Sequence, residues 1–315
     1  MSVSSIAPYV TCDLDGPDRR EGKVRSSYRL SGERRLFVTT DRLSAFDRVV
    51  AGVPYKGQVL NQLAAWWFET TRDIVANHAL AMPDPNALIG IEATPLPVEV
   101  VVRGRITGVT TTSIWRMYAE GARTVYGHQL PEGLRKNEAL PSAMITPTSK
   151  AAKGGHDEPL TCDDVTKRGL IAPRLWAQVR QVALALFERG VRDAARAGMV
   201  LADTKYEFGL SPDGDLLLID EVHTPDSSRF WVASTLDERL TAGHEPESLD
   251  KEVVRRALDD AGFRGDGDVP DLAPSVWTDT SDRYISCYER LTGRTFDRGH
   301  YPIGPRLAAN VKGLF

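Results

Sequence analysis

In "ADTKYEFG", Asp203, Lys205 and Glu207 recur at every second position, with Thr204, Tyr206 and Phe208 between them. In an extended strand that period places all three charges on one face. The turn signal "SPDG" and the run "LLLID" follow, so the two segments are expected to form an antiparallel hairpin. A four-residue loop would pair Lys205 with Asp220, a two-residue loop would pair Glu207 with Asp220, and an odd count would substitute Glu221. Carboxylates gathered in this way repel unless something positive sits between them. Mg²⁺ suits such a place, because it takes a few carboxylate oxygens and completes its shell with water and nucleotide phosphates. Glu207 and Asp220 are the candidate ligands, and Lys205 would face a phosphate or an anionic substrate. The competing reading is a solvated sheet face with cross-strand ion pairs. The apolar run Leu216 to Ile219 weighs against it, since an exposed strand has no need of one.

Further candidates flank this hairpin. The turn after it, "VHTPDSSRFW", delivers Asp226, Ser227, Ser228 and Arg229 ahead of two aromatics. Near the start, "EGKVRSSYRL" sets Gly22 before Lys23 and Arg25, so the backbone could approach phosphates while two cations share a strand face. "VVRGRITG" ends an apolar strand with Arg103 and Arg105 on one face, suited to bidentate contact with carboxylate or phosphate. Neither the Walker pattern nor the dinucleotide pattern of glycines is present. His156 and Asp157 fall in a long loop, and the residues alone assign them no catalysis.

The elements that position these groups are legible in outline. Residues 20 to 105 alternate turn signals with strand-like runs, "RLFVTT", "GVPYKG" and "PVEVVVRGRITG". Between them Leu60, Leu63, Ala64, Trp67 and Phe68 recur at helical spacing. Residues 127 to 161 are rich in Pro, Gly and Ser and read as a long loop. A helix is expected over "APRLWAQVRQVALALFERGVRDAARAG", with Leu175, Val179, Val182 and Leu186 on one face and Gly198 as its cap. Two amphipathic stretches follow near 250–262 and 281–291, then a tail punctuated by Pro and Gly.

Composition excludes several classes. With 42% hydrophobic and 26% charged residues the chain can build a core, and its net charge of -4 with interspersed signs argues against a nucleic-acid surface. Cys12, Cys162 and Cys287 are far apart, which fits a reducing compartment without a disulfide framework. No window approaches the roughly 18 apolar residues of a membrane span, and the N-terminus lacks a signal-peptide pattern. A cytoplasmic protein with no membrane partner is expected.

In this order, "GKVRSSY", "TTDRLSAFD", "PYKGQVLNQL", "PVEVVVRGRITG", "ITPTSKA", "HDEP", "DTKYEFG" and "IDEVHTPDSSRFW" resemble the phosphoribosylaminoimidazole-succinocarboxamide synthase (SAICAR synthetase) family. The resemblance spans about residues 20 to 292. It implies a two-lobed α+β fold, with a strand-rich N-terminal lobe over residues 1–126, of which 1–20 are a variable start. A larger lobe over 127–292 and a C-terminal extension over 293–315 complete it, with ATP between the lobes. The implied reaction is an ATP- and Mg²⁺-dependent ligation of carboxyaminoimidazole ribonucleotide (CAIR) to L-aspartate through an acyl phosphate. By the same resemblance, Gly22, Lys23 and Arg25 would hold ATP phosphates, and the strand from Pro97 to Glu99 would meet the adenine. Lys205 and Asp203 would be catalytic. Ser44, Arg103, Ser113, Asp226, Ser227 and Arg229 would line the substrate cleft, with Lys150 and Asp157 covering it. Glu207 and Asp220 keep the metal role. The chain departs from the family pattern at Val109–Thr112, which are inserted before Ser113, and at Ser26, where an Asp is usual. Competing functions are a sister ligase for another azole or nucleoside carboxylate and a catalytically silent nucleotide-binding protein. A phosphotransferase is opposed by the lack of kinase-type motifs.

Overall fold

Alternating apolar residues and tight turns build two five-stranded antiparallel sheets and two two-stranded ribbons, and helices pack against the larger sheets. The structure is a computed structural model that describes residues 6–110, 112–150 and 158–315. In chain order the elements begin with β1 (Arg20–Glu21), β2 (Arg25–Leu30), β3 (Arg34–Thr39), β4 (Arg42–Ala45), β5 (Arg48–Gly52) and α1 (Lys56–Thr70). Next come β6 (Ala79–Asp84), β7 (Ala87–Ile91), β8 (Thr94–Arg105), α2 (Ile114–Ala119), β9 (Thr124–Val125), β10 (His128–Gln129) and β11 (Ala139–Ser149). Then follow α3 (Cys162–Lys167), α4 (Pro173–Arg196), β12 (Met199–Leu210), β13 (Leu216–Ile219) and β14 (Ser228–Val232). The chain ends with α5 (Ala233–Thr241), α6 (Glu252–Asp260), α7 (Pro274–Thr292) and α8 (Ile303–Asn310). The first sheet has the order β1-β2-β3-β7-β6 and the second β11-β8-β12-β13, with β14 also on β12, while β4–β5 and β9–β10 are the two ribbons. β8, which lies within the segment assigned from sequence to the N-terminal lobe, therefore runs inside the second sheet.

The second sheet carries the expected alternation. Val98, Val100 and Val102 of β8 and Tyr206 and Phe208 of β12 enter one core with Val179 and Leu186 of α4 and Trp67 of α1. β8 and β12 pair Asp203 with Arg103, Lys205 with Val101 and Glu207 with Glu99, so the opposite face collects the charges of both strands. α4 closes as expected, with Gly198 at φ 69°, a conformation that side chains with a Cβ rarely adopt.

Four expectations need correction. The β12–β13 hairpin pairs Leu210 with Leu216 and Glu207 with Ile219, which leaves an odd loop, 211–215, in place of an even one. Continued as a strand, this register would turn Asp220 toward the core. Instead the ladder stops at Ile219 and Asp220 takes φ 70°, which redirects its side chain. Second, the long loop expected over 127–161 contains β11, eleven residues paired with β8. Its prolines masked it, and they are tolerated because β11 is an edge strand. Third, "GVPYKG" is not a strand, since β5 ends at Gly52 and Tyr55 caps α1. Gly57 is needed there because a Cβ would lie 2.5 Å from the Thr39 carbonyl oxygen, where α1 meets the end of β3. Fourth, the last amphipathic stretch is longer, Pro274–Thr292, and the tail contains α8.

The tail returns to the first sheet. Ile303, Leu307 and Val311 pack against Tyr28, Leu36 and Val38. Just before α8, the Tyr301 hydroxyl donates to Asp41 at 2.7 Å and accepts from the Tyr55 amide at 2.6 Å. Asp41 also accepts from the Tyr9 and Gly57 amides at 2.8 and 3.0 Å. Burial pushes the Asp41 carboxyl up to about 6, against the pull of these hydrogen bonds. Tyr301→Phe keeps the ring and removes a bond to a charged group, so urea unfolding is expected to show a loss of about 1.5–3 kcal/mol. An unchanged stability would mean that the Tyr301 hydroxyl adds nothing net, leaving the tail to its apolar packing and to the Arg306 and Asn310 contacts with Asp84.

Candidate functional site

The charged face of β8 and β12 forms the floor of a cleft with two chambers. The larger, about 390 Å³, is lined by Gly22 and Lys23 of the β1–β2 turn with Arg25 at the start of β2, and by Ser44 of β4 with Phe46 and Asp47 of the β4–β5 turn. Glu207, Asp220 and Glu221 complete its carboxylate side. The smaller, about 260 Å³, is lined by Arg103, Ser113, Thr148, Asp203, Ser228 and Arg229 among others. Glu99, Lys205, Asp226, Ser227, Lys251 and Arg255 line both, and so form the boundary between the chambers.

Charge in the cleft is arranged in pairs. Lys205 Nζ lies 2.7 Å from Glu99 Oε1 and 3.3 Å from Glu207 Oε1. Burial disfavours the Lys205 ammonium, but Glu207 and Glu99 more than reverse this and hold its pKa above the usual lysine value. Glu207 is correspondingly depressed to about 2: burial opposes its charge, and Lys205 and Lys150 overcome it. Arg25 pairs with Asp220 and lies 3.4 Å from Glu221, so the kink after β13 presents both carboxylates to one guanidinium. In the smaller chamber Asp203 Oδ2 bridges Arg229 at 2.6 Å and Arg103 at 3.3 Å. Arg103 is held further by Thr146 Oγ1 at 2.8 Å. Two guanidiniums on one carboxylate keep unused N–H donors for an anionic ligand.

Most residues expected in the site converge on this cleft. Ser113 lines the smaller chamber despite the preceding insertion, with Thr110 N donating to its Oγ at 3.1 Å. Gly108, at φ 93°, allows this approach, because a Cβ there would lie 2.4 Å from Ser113 Oγ. Lys150 reaches Glu207 at 2.5 Å from the end of the segment that precedes residue 151. Pro97 is exposed and belongs to neither chamber wall, whereas Glu99, grouped with it for adenine, instead pairs with Lys205 at the boundary. Asp157 and His156 lie outside the described residues.

Other lining residues were not anticipated. Lys251 and Arg255 sit one helical turn apart at the start of α6, a spacing visible in "LDKEVVRR" but also common on solvated helices. Phe46 and Asp47 both take positive φ, 49° and 61°, in the tight β4–β5 turn, and Asp47 pairs with Lys23 at 2.5 Å. Lys56, the first residue of α1, is fully buried and meets Asp226 at 2.8 Å, with the Tyr284 hydroxyl donating to the same carboxylate at 2.7 Å. Burial opposes the Asp226 charge, yet Lys56 and Lys251 hold its pKa below the usual carboxylate range. Asp226→Asn would leave the Lys56 ammonium buried without a countercharge. Chemical denaturation is expected to show a loss of about 3–5 kcal/mol. A loss under about 1 kcal/mol would show that Lys56 finds another partner.

Two sheets meeting at an anion-gathering, carboxylate-laced cleft define an α+β fold with a polar ligand-sized site. The profile of one family, SAICAR synthetase, matches residues 18–271. The phosphoribosylaminoimidazole-succinocarboxamide synthase of Legionella pneumophila (strain Lens) is 44% identical over 295 residues, covering 93% of this chain and 94% of that one. Among solved structures, the SAICAR synthase from Saccharomyces cerevisiae complexed with SAICAR superposes with a TM-score of 0.78 at 30% identity, over 92% of this chain and 99% of the other. A Type-2 SAICAR synthetase in complex with ADP gives 0.68 at 25% identity, over 89% and 100%. The chain belongs to the SAICAR synthetase family, and with it to the ligases. The α+β fold expected from the motifs is the fold observed. Among the described residues no helix is long and apolar enough to cross a membrane.

Proposed function

We propose that the protein joins the carboxylate of CAIR to the amine of L-aspartate at the expense of ATP, giving SAICAR, ADP and phosphate. The observation that carries this reading is the boundary between the two chambers, where Lys205 and Glu99 belong to both walls. One chamber then takes the nucleotide and the other the ribonucleotide, and the phosphoryl group crosses between them. The names of the Legionella relative and of the SAICAR- and ADP-bound structures support the same assignment.

A carboxylate does not react with an amine because oxide is a poor leaving group, so it must first become an acyl phosphate. Lys23 and Arg25 would hold the nucleotide phosphates, and Lys205 would neutralise charge on the transferring group, where little covalent work is required of the protein. Arg103, Arg229 and Ser113 would fix the ribonucleotide by its phosphate and carboxylate. Asp203 sets the separation and orientation of the two arginines through its bridge. Glu207 and Asp220 fit a Mg²⁺ site of the kind that shares its shell with phosphates. Among the described residues no cage of three or more ligating side chains gathers, and Mg²⁺ bound to nucleotide requires only one or two carboxylates. When bound, Mg²⁺ would supply positive charge to the phosphate oxygens.

The purified protein, incubated with ATP, Mg²⁺, L-aspartate and CAIR, is expected to form ADP and the succinocarboxamide in equal amounts. Omission of CAIR is expected to stop ADP release. ADP formed at the same rate without CAIR would contradict the assignment.

A further inference from the structure

We propose that Lys251 is the proton acceptor that converts the ammonium of the incoming L-aspartate into the attacking amine. The inference rests on the ligase reaction above and concerns its second half, because aspartate arrives protonated and has no lone pair to give.

Lys251 differs from the other cations of the cleft. Lys23, Arg25, Arg103, Lys205, Arg229 and Arg255 each have a carboxylate within 3.3 Å. Among the described residues, Lys251 Nζ has no hydrogen-bond or ion-pair partner. Its backbone is nevertheless held in place: it caps α6, and its amide donates to the Pro225 carbonyl at 3.3 Å. Its side chain lines both chambers, beside Lys205 and Glu99, where an acyl phosphate formed in one chamber would meet a nucleophile. An amine held there without a partner is available to exchange a proton.

The surroundings also favour the neutral amine. Burial disfavours the ammonium; Asp226 favours it, Arg255 on the same helix and Lys56 on α1 oppose it, and Glu221 favours it. The balance lowers its pKa to about 8. Neutral lysine is therefore populated near physiological pH, and the active form grows as pH rises through this value. Arg255, paired with Glu252 at 3.0 Å, also lines both chambers, where its guanidinium would attract the carboxylates of aspartate.

The step balances. Lys251 takes one proton from the aspartate ammonium. The freed lone pair forms the C–N bond to the acyl carbon, the C–O bond to phosphate breaks, and phosphate departs with that electron pair. The second proton of the former amine leaves with the phosphate, and the Lys251 ammonium returns its own to water.

Hydroxylamine separates the two halves, since it is a nucleophile already neutral at pH 7 and needs no base. In the wild-type protein with CAIR, ATP and Mg²⁺, kcat/KM for aspartate is expected to rise with pH through a midpoint near 8, and hydroxamate formation is expected to lack that limb. Lys251→Arg preserves the charge but cannot act as a base. Its kcat with aspartate at pH 7.5 is expected to fall about 100-fold, with hydroxamate formation within about threefold of wild type. The proposal is overturned if Lys251→Arg keeps aspartate kcat within threefold, if both nucleophiles lose rate equally, or if the wild-type limb appears with hydroxylamine too. Absence of any CAIR-dependent product with either nucleophile in the wild type would overturn the ligase assignment instead.

Discussion

Lys205→Met is expected to lower kcat by about 10²–10³-fold, with a much smaller effect on folding. Lys205 is the only lysine of β12 and stands in the wall common to both chambers, 2.7 Å from Glu99 and 3.3 Å from Glu207. A cation preorganised at the point where charge develops is worth roughly 3–4 kcal/mol to a transition state in a site from which water is partly excluded. The variant also leaves Glu99 and Glu207 facing the phosphates without that neutralising charge, so the substituted site repels the group it must receive. Its side chain is 34% exposed, and methionine can keep much of the aliphatic packing, so a limited change in melting temperature is expected. Steady-state kinetics with saturating ATP and CAIR would check this. A decrease in kcat of less than tenfold would remove Lys205 from the transfer step.

The second large effect concerns the carboxylates. Glu207→Gln and Asp220→Asn are each expected to weaken Mg²⁺-dependent nucleotide binding by at least the roughly 10–100-fold typical of losing even an indirect metal partner. Calorimetric titration of ADP with and without Mg²⁺ reads this without relying on turnover. The wild-type protein should bind ADP more tightly when Mg²⁺ is present, and each variant should lose most of that increment. Glu207→Gln also removes the countercharge of Lys150, and Asp220→Asn leaves Arg25 with Glu221 alone, so metal-free affinity for an anionic nucleotide should hold or rise. An unchanged Mg²⁺ increment in both variants would show that neither carboxylate serves the metal.

Why some of this was legible from sequence follows from the physics of each element. The face shared by Asp203, Lys205 and Glu207 could be read because β12 buries only one side, and period-two alternation records that asymmetry. The route of Asp220 to the cleft could not. It depends on a loop of odd length and on a left-handed turn at Asp220, and neither leaves an apolar pattern behind. β11 was hidden because an edge strand tolerates the prolines and serines that elsewhere signal a loop. Lys56 in "PYKGQ" resembles a solvated lysine, and only the tertiary structure shows it enclosed against Asp226. Lys251 and Arg255 are inconspicuous for a similar reason, since cations one turn apart are common on exposed helices. The motifs shared with the family compensated for part of this: Arg103 and Arg229 stand out from strand and turn patterns as candidates, but Ser113 is picked out by the resemblance alone.

In the proposed reaction the phosphoryl group passes across the boundary between the chambers onto a carboxylate before the amide forms. CAIR labelled with ¹⁸O in its carboxylate, turned over with ATP, Mg²⁺ and L-aspartate, tests it through the isotope shift of the released phosphate in ³¹P NMR. Each phosphate released is expected to carry one carboxylate oxygen, and the amide to keep the other. Phosphate released without label, alongside full formation of the amide, would contradict it.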